Sequence, residues 1–410
     1  MQRKPELLAP AGNFEKLRAA LLYGADAVYF AGDAFGMRAS AGNFTTPEIF
    51  EAVAYAHEKG ARAYLTVNTM PRTAEYPALT QYLASLRGSG IDALIVSDLG
   101  VLTAAKELLP EAEIHISTQA SAVSAADVRA WRALGASRVV LARELTLSEV
   151  AEIVHEVPDT EIECFIHGAM CVSYSGRCLL SNFFTGRDSN RGACAQPCRW
   201  NYRTLEVAEE KRPDAPMPLY EDKDGTFVMS SRDMCMIEHI PELVDAGITS
   251  FKIEGRMKSA YYAAVVTNAY RMAIDAYQKG PAAYRFDPAY LRELESVSHR
   301  DYGTGYWFDT PREEANVCTH TGYIREKAYI ATALSYDAES GRATFVQRNK
   351  VSAGEVAELI SPGRVGRPLT VCELCDADGA PIESAPHPGM IFSLRAPFPV
   401  QPGDILRGSN

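Results

Sequence analysis

Short apolar runs alternate with helix-period stretches over the first two-thirds of the chain. The runs are Glu6–Ala9, Ala27–Ala31, Arg62–Val67, Ala93–Ser97, Glu113–Ser117, Arg138–Ala142, Glu161–Ile166 and Ser250–Ile253. Between them, apolar residues recur three and four apart in Asn13–Tyr23, Thr46–Lys59, Tyr76–Arg87, Ala125–Ala133 and Leu147–His155. Gly24, Gly60, Gly88, Gly135 and Gly247 stand near the ends of helical stretches, where a left-handed residue is wanted. Strands alternating with helices predict parallel βαβ units. Eight such units over this length predict a (β/α)8 TIM-like barrel. A doubly wound open sheet is the alternative, but eight similar units offer no point where the strand order would reverse.

Two departures from the pattern set the domain layout. After the seventh run, a stretch rich in Cys, Arg, Asn and Gly interrupts the alternation, giving a Cys-rich insertion at 168–235. Loops after barrel strands form the C-terminal face, so the insertion is expected at the barrel mouth. A helix-like stretch, Ile237–Ala246, then leads to the eighth run, and Lys258–Lys279 supplies the closing helix. From about Thr319 the period changes to short alternating runs separated by turns such as Ser361-Pro362-Gly363 and Gln401-Pro402-Gly403-Asp404. That reads as a small C-terminal all-β barrel. The expected boundaries are 1–285 for the barrel, 286–318 for a connecting segment and 319–410 for the β domain.

Charge and composition narrow the function. Lys and Arg number 41 against 52 Asp and Glu, a net charge of −11, which argues against broad nucleic-acid binding. Any RNA must be held by a local basic patch. The N-terminus has two basic residues but no apolar stretch behind them, so the cytosol is the expected compartment. There, nine cysteines favour metal binding or catalysis over disulfides. The core spacing is Cys171-x6-Cys178-x15-Cys194-x3-Cys198, followed by Cys235. Such thiolates suit zinc or an iron–sulfur cluster, and spacing alone leaves both open. Cys164 reads as a core thiol, Cys318 is isolated, and Cys372-x2-Cys375 has no second pair near it.

Several stretches carry a family resemblance. They are Glu6-Leu7-Leu8-Ala9-Pro10-Ala11-Gly12, Gly24-Ala25-Asp26-Ala27-Val28-Tyr29 and His167-Gly168-Ala169-Met170-Cys171, together with Ser175-Gly176-Arg177-Cys178-Leu179-Leu180-Ser181, Gly192-Ala193-Cys194-Ala195-Gln196-Pro197-Cys198-Arg199 and Lys252-Ile253-Glu254-Gly255-Arg256-Met257-Lys258. In these the chain resembles the collagenase-like peptidase family U-32. The family includes oxygen-independent hydroxylases of tRNA uridine, of ribosomal-RNA cytidine and of ubiquinone precursors. The resemblance implies a [4Fe–4S] cluster, whose ligands by position would be Cys171, Cys178, Cys194 and Cys235, with Cys198 as a substitute ligand. Length and layout resemble the tRNA member best. That implies a tRNA-modifying enzyme that hydroxylates C5 of the anticodon wobble uridine, with prephenate as cosubstrate and the tRNA anticodon loop as partner. A peptidase is the runner-up, as is a cluster-bearing subunit with a homologous partner chain, acting on rRNA or a quinone precursor. The sequence offers no G-x-S-x-G elbow and no H-E-x-x-H helix.

Prephenate is a dicarboxylate, and arginine grips carboxylates in bidentate fashion. Arg256 follows the eighth run, Arg143 the sixth and Arg38 the second, with Lys252 and Lys258 nearby. Asn68, Asp98, Gln119, Glu144, His167 and Glu254 also fall at strand ends, where a barrel pocket would form. His167, Glu254 and Arg256 are the catalytic candidates. His115 reads as a core histidine. For RNA, the insertion offers Arg187, Arg191, Arg199 and Arg203 against Asp188, interleaved with Trp200 and Tyr202, whose rings can stack on unpaired bases.

Overall fold

The computed structural model describes residues 4–38, 42–171, 173–200, 220–222, 225–227, 231–308 and 323–409. Eight strands form a closed parallel barrel. They are β1 (Glu6–Pro10), β2 (Ala27–Ala31), β3 (Arg62–Val67), β4 (Ala93–Val96), β5 (Glu113–Ile116), β6 (Arg138–Val140), β7 (Glu161–Ala169) and β8 (Ser250–Ile253). Neighbours pair in chain order, and β8 closes the ring by pairing in parallel with both β1 and β7. The open-sheet alternative is therefore excluded. The strands read as apolar runs because both faces are covered: all of β2 and β4 is buried.

Local chemistry sets the helix starts. Asp98 caps α4 (Leu99–Leu108) by accepting from the Gly100 and Val101 amides at 2.9 and 3.0 Å. Thr146 and Glu149 form a capping box on α6 (Leu147–Glu156). Ser259 caps the long helix α8 (Ala260–Lys279).

The floor of the barrel holds charge as well as apolar side chains. Arg138 reaches Glu6 at 2.6 Å, Glu161 at 2.6 Å and Glu163 at 3.1 Å. Lys252 meets Glu163 at 2.7 Å. The paired charges let the barrel bury ions that would otherwise be too costly to desolvate. His115 is fully buried there, beside Glu113 and the Tyr64 ring, as expected of a core histidine.

By contacts between residues the chain divides into two compact units, each assembled from more than one stretch. One comprises Met1–Phe14, Asp26–Met257 and Arg300–Tyr323. The other comprises Glu15–Ala25, Lys258–His299 and Ile324–Asn410. Most of α1 (Phe14–Leu22) and all of α8 thus group with the C-terminal part, as does the helix Pro288–Glu295 inside the expected connecting segment. The second unit carries a seven-stranded antiparallel half-barrel sheet spanning Lys327–Ser409. Its core includes Phe345, Phe392, Leu359 and Leu406. Buried Arg407 is paired with Glu293 at 2.8 Å and Glu358 at 2.7 Å. Cys375 is buried in this sheet and Cys372 is exposed, while Cys318 lies outside the described residues.

Candidate functional site

The strand ends of the barrel converge on a polar pocket. Its wall includes Tyr29, Arg38, Thr66, Asn68, Ser117, Gln119, Arg143, Phe165, Lys252, Glu254 and Arg256. Five expected residues, Arg38, Asn68, Gln119, Arg143 and Arg256, therefore meet there with Glu254. Short bonds fix the wall. Asn68 accepts from the Met37 amide at 3.1 Å and donates to Ser117 at 3.2 Å. Arg256 donates to Thr66 Oγ1 at 3.0 Å. The Tyr29 hydroxyl donates to the Ile253 carbonyl at 2.9 Å. The Lys252 ammonium lies 4.5 Å from the Tyr29 ring centroid.

The pocket is cationic. Glu163 neutralises Lys252, which leaves Arg38, Arg143 and Arg256 facing one carboxylate, Glu254. Arg38 approaches Glu254 at 3.6 Å. Burial alone would raise the Glu254 pKa, but Arg38, Arg143, Arg256 and Lys252 together hold it below the usual value. Burial pushes Arg256 down to about 10, and the nearby Arg38 charge pushes the same way.

A second cavity adjoins the first and shares Met37, Arg38, Gln119 and Arg143 with it. Four thiols line it: Cys171, Cys178, Cys194 and Cys198. The local turn explains the last two. Gln196 takes the left-handed conformation (φ 57°), and a 3-10 turn follows over Pro197–Arg199. The Gln196 amide donates to Cys194 Sγ at 3.4 Å. Burial raises the Cys198 pKa, and the other three thiols add to the rise. Arg143 ties the loop to the barrel, donating to the Ala169 carbonyl at 2.9 Å and to Ser175 Oγ at 2.7 Å. Gly192 (φ 83°) lets the loop approach the Arg38 segment, since a Cβ there would lie 3.0 Å from the Gly36 carbonyl. Gln119 Oε1 is buried without a hydrogen-bond partner among the described residues, at the wall common to both cavities.

Part of the ligand set that the resemblance implies lines this cavity: Cys171, Cys178 and Cys194, with the substitute Cys198. Cys198 lines the thiol cavity and Cys235 does not. Cys235 sits in the strand Asp233–Cys235, paired antiparallel with β7 opposite His167. His167 lines neither cavity; its buried ring lies 5.4 Å from that of Tyr302. Asp98 is occupied as a helix cap, and Glu144 lies outside both cavities. Lys258 donates to the Ser298 carbonyl at 2.8 Å in the second unit.

The RNA candidates divide in the same way. Arg191 is bound by Glu75 at 2.7 Å, and Arg199 donates to Gln196 and to the Met170 carbonyl, both at 3.3 Å. Arg187 is exposed, as is Trp200, whose ring lies 6.2 Å from Phe184. Tyr202 and Arg203 lie outside the described residues. Leu179, Phe183 and Phe184 are exposed in the same insertion, Phe183 at 81%. The sequence reading passed over them, although adjacent phenylalanines in a polar insertion are a usable signal. It also passed over Tyr29, Thr66 and Phe165, which a strict inward-facing alternation along β2, β3 and β7 would have found.

Among the described residues, no three His, Cys, Asp or Glu side chains converge tightly enough to hold a lone metal ion. The thiol cavity measures about 70 Å3, several times the volume one water-sized sphere needs.

Known proteins set this geometry in context. "tRNA hydroxylation protein P1" of Bacillus subtilis (strain 168) is 39% identical over 405 residues, covering 99% of this chain and 95% of that protein. "tRNA hydroxylation protein P" of Escherichia coli (strain K12) is 34% identical, covering 97% and 94%. "Collagenase" of Porphyromonas gingivalis (strain ATCC BAA-308 / W83) is 33% identical, covering 87% and 86%. The family model for peptidase family U32 matches residues 12–316, the model for its C-terminal domain matches residues 325–407, and the chain belongs to the U32 family.

Proposed function

We propose that this protein hydroxylates RNA. More specifically, we infer C5 hydroxylation of the anticodon wobble uridine of tRNA, giving 5-hydroxyuridine without molecular oxygen, with prephenate as cosubstrate. One observation carries the reading: a four-thiol cavity shares a wall with a cationic pocket at the mouth of a closed barrel. The names of the relatives that align over nearly the whole chain support the RNA substrate.

The donor set suits an iron–sulfur cluster. Four thiols line one cavity, the number needed when each of four irons takes one thiolate. Cys171, Cys178, Cys194 and Cys198 would hold a [4Fe–4S] cluster, which when bound supplies redox and Lewis-acid chemistry. The chain's own residues do the binding and orienting. Arg38, Arg143 and Arg256 exceed Glu254 in charge and can grip the two carboxylates of prephenate. Gln119, with an unpaired buried oxygen at the common wall, can accept a hydrogen bond from a hydroxyl held there. Exposed Phe183, Phe184 and Trp200 offer stacking faces to unpaired bases, and exposed Arg177 and Arg187 offer charge to the backbone.

The name of the Porphyromonas gingivalis relative favours a peptidase as the second reading. Cys164 and His167, neighbours in sequence, are both buried and line neither cavity, so they offer no nucleophile and base at a substrate pocket. The test is nucleoside analysis of tRNA from a deletion strain that lacks any paralogue, complemented with wild type or with Arg256→Met. Loss of 5-hydroxyuridine on deletion, restored by wild type alone, is expected. Unchanged 5-hydroxyuridine in the deletion strain, with collagen cleavage by the purified protein, would reverse the order of the two readings.

A further inference from the structure

The second unit holds a cavity of about 600 Å3 that the hydroxylation reading leaves unused. Two proline turns make its walls, Ser361-Pro362-Gly363 and Gln401-Pro402-Gly403. Buried side chains clamp both. Asn268, 1% exposed, accepts from the Gly363 amide at 2.7 Å and donates to the Arg364 carbonyl at 2.8 Å. The Tyr23 hydroxyl lies 3.0 Å from the Ile360 carbonyl and 3.3 Å from that of Gly403. Asp404 is fully buried and accepts from Ser361 Oγ and from the Gln401 amide, both at 2.9 Å. The walls are thus rigid before any ligand arrives.

Two guanidiniums line this frame. Arg367 stacks on Phe398, with Cζ 3.9 Å from the ring centroid, and its Nη2 donates to Ser361 at 3.2 Å. Its Nε is buried without a hydrogen-bond partner among the described residues. Neither Arg364 nor Arg367 has a carboxylate oxygen within ion-pair distance among those residues. Burial lowers the Arg367 pKa, and the neighbouring Arg364 charge lowers it further. Asp404 feels both cations but is engaged with the two turns, and two cations against one carboxyl leave an excess positive charge. A carboxylate presents two oxygens in one plane and satisfies one arginine fork. A tetrahedral phosphate presents oxygens on several faces and can satisfy two.

We propose that this cavity is a phosphate-binding site, with Arg364 and Arg367 gripping either a phosphodiester of an RNA backbone or a free phosphate ester. The site stands on its own geometry and does not depend on the hydroxylation reading.

The test uses the full chain, with inorganic phosphate and deacylated tRNA as separate probes. Variants are Arg364→Ala, on the exposed rim, and Arg367→Gln. Wild type is expected to gain thermal stability with inorganic phosphate, and Arg364→Ala to lose that gain while melting like wild type in phosphate-free buffer. If RNA is the source, tRNA affinity also falls about tenfold and the salt slope loses about one unit. If tRNA affinity holds and only the phosphate response falls, the source is a free phosphate ester. A wild type that binds phosphate through these arginines but binds no tRNA keeps the site and removes the RNA reading. Phosphate and tRNA responses unchanged in both variants would overturn the proposal.

Discussion

Cys198 and Cys235 show how single residues decide the site. Both are cysteines in or beside the insertion, yet the Cys194-x3-Cys198 turn brings one thiol to the cavity and strand pairing keeps the other beside His167. With the proposed cluster in the thiol cavity, Cys198→Ser purified without oxygen is expected to lose most iron and acid-labile sulfide, and Cys235→Ser to keep both. The reverse result would favour Cys235, the ligand that the resemblance implies. Deeper in the barrel, Glu163 is a second decisive residue. Burial would raise its pKa, but Lys252 and Arg138 outweigh burial and hold it at about 2. An unfolded glutamate titrates near ~4.3. A depressed carboxyl contributes its stability above that unfolded value and loses it as pH falls through the folded one. Stability is therefore expected to drop by about 3 kcal/mol between pH ~4.3 and pH 2 on this account alone. Glu163→Gln should flatten that stretch of the acid-denaturation curve while lowering stability at pH 7. An acid limb as steep in the variant as in wild type would place the sensitivity elsewhere.

At the scale of elements, β7 is where the barrel and the insertion meet. It ends at Ala169 instead of Ile166 because its last residues pair with Asp233–Cys235, a partner from beyond the insertion that the apolar pattern cannot reveal. A bulge between Lys252 and Ile253 shifts the register against β8 just where His167 and Ile253 are paired. Strict alternation from Phe165 would have turned His167 into the pocket. Gly168 makes this junction possible. Its φ is +104°, and a Cβ there would lie 2.5 Å from the Glu254 carbonyl oxygen. Gly168→Ala must push apart the strand ends that carry Glu254 and Arg256. A loss of about 1–3 kcal/mol is expected in urea denaturation, with weaker binding by calorimetry of the prephenate proposed for this pocket. If both stay at wild-type values, the junction is not what sets the pocket. The β2, β3 and β8 spans were legible to the residue; β2 shows why, because a parallel strand buried on both faces writes a continuous apolar run. The Arg256 and Asn68 placements were legible for the same reason, as residues next to strand ends. The four thiols were legible from their spacing, but the turn that brings Cys198 to the cavity was not, since it hinges on a left-handed Gln196 that no periodicity encodes.

For the whole molecule, net charge limits how RNA can be held. A chain at −11 repels a polyanion at long range, so attraction must come from a few local cations. In the insertion, Arg191 is already committed to Glu75, while Arg177 and Arg187 are exposed. Stacking on Phe183, Phe184 and Trp200 adds affinity that salt does not screen. Each phosphate contact contributes about 0.7–0.9 to the slope of log K against log salt. Two contacts from the insertion, and up to two from Arg364 and Arg367, give a slope of about −1.4 to −3.6. Binding of tRNA should therefore survive a rise from 50 to 200 mM salt with a loss of about 7- to 150-fold, where a broadly basic binder loses about 10³ to 10⁵. Fluorescence anisotropy of a labelled tRNA over a salt series measures this directly. Phe183→Ala should weaken binding at every salt concentration without changing the slope, because a ring releases no counterions. A slope steeper than about −6 in wild type would mean that a wide basic surface holds the RNA, and a Phe183→Ala effect that vanishes at high salt would mean the ring does not stack.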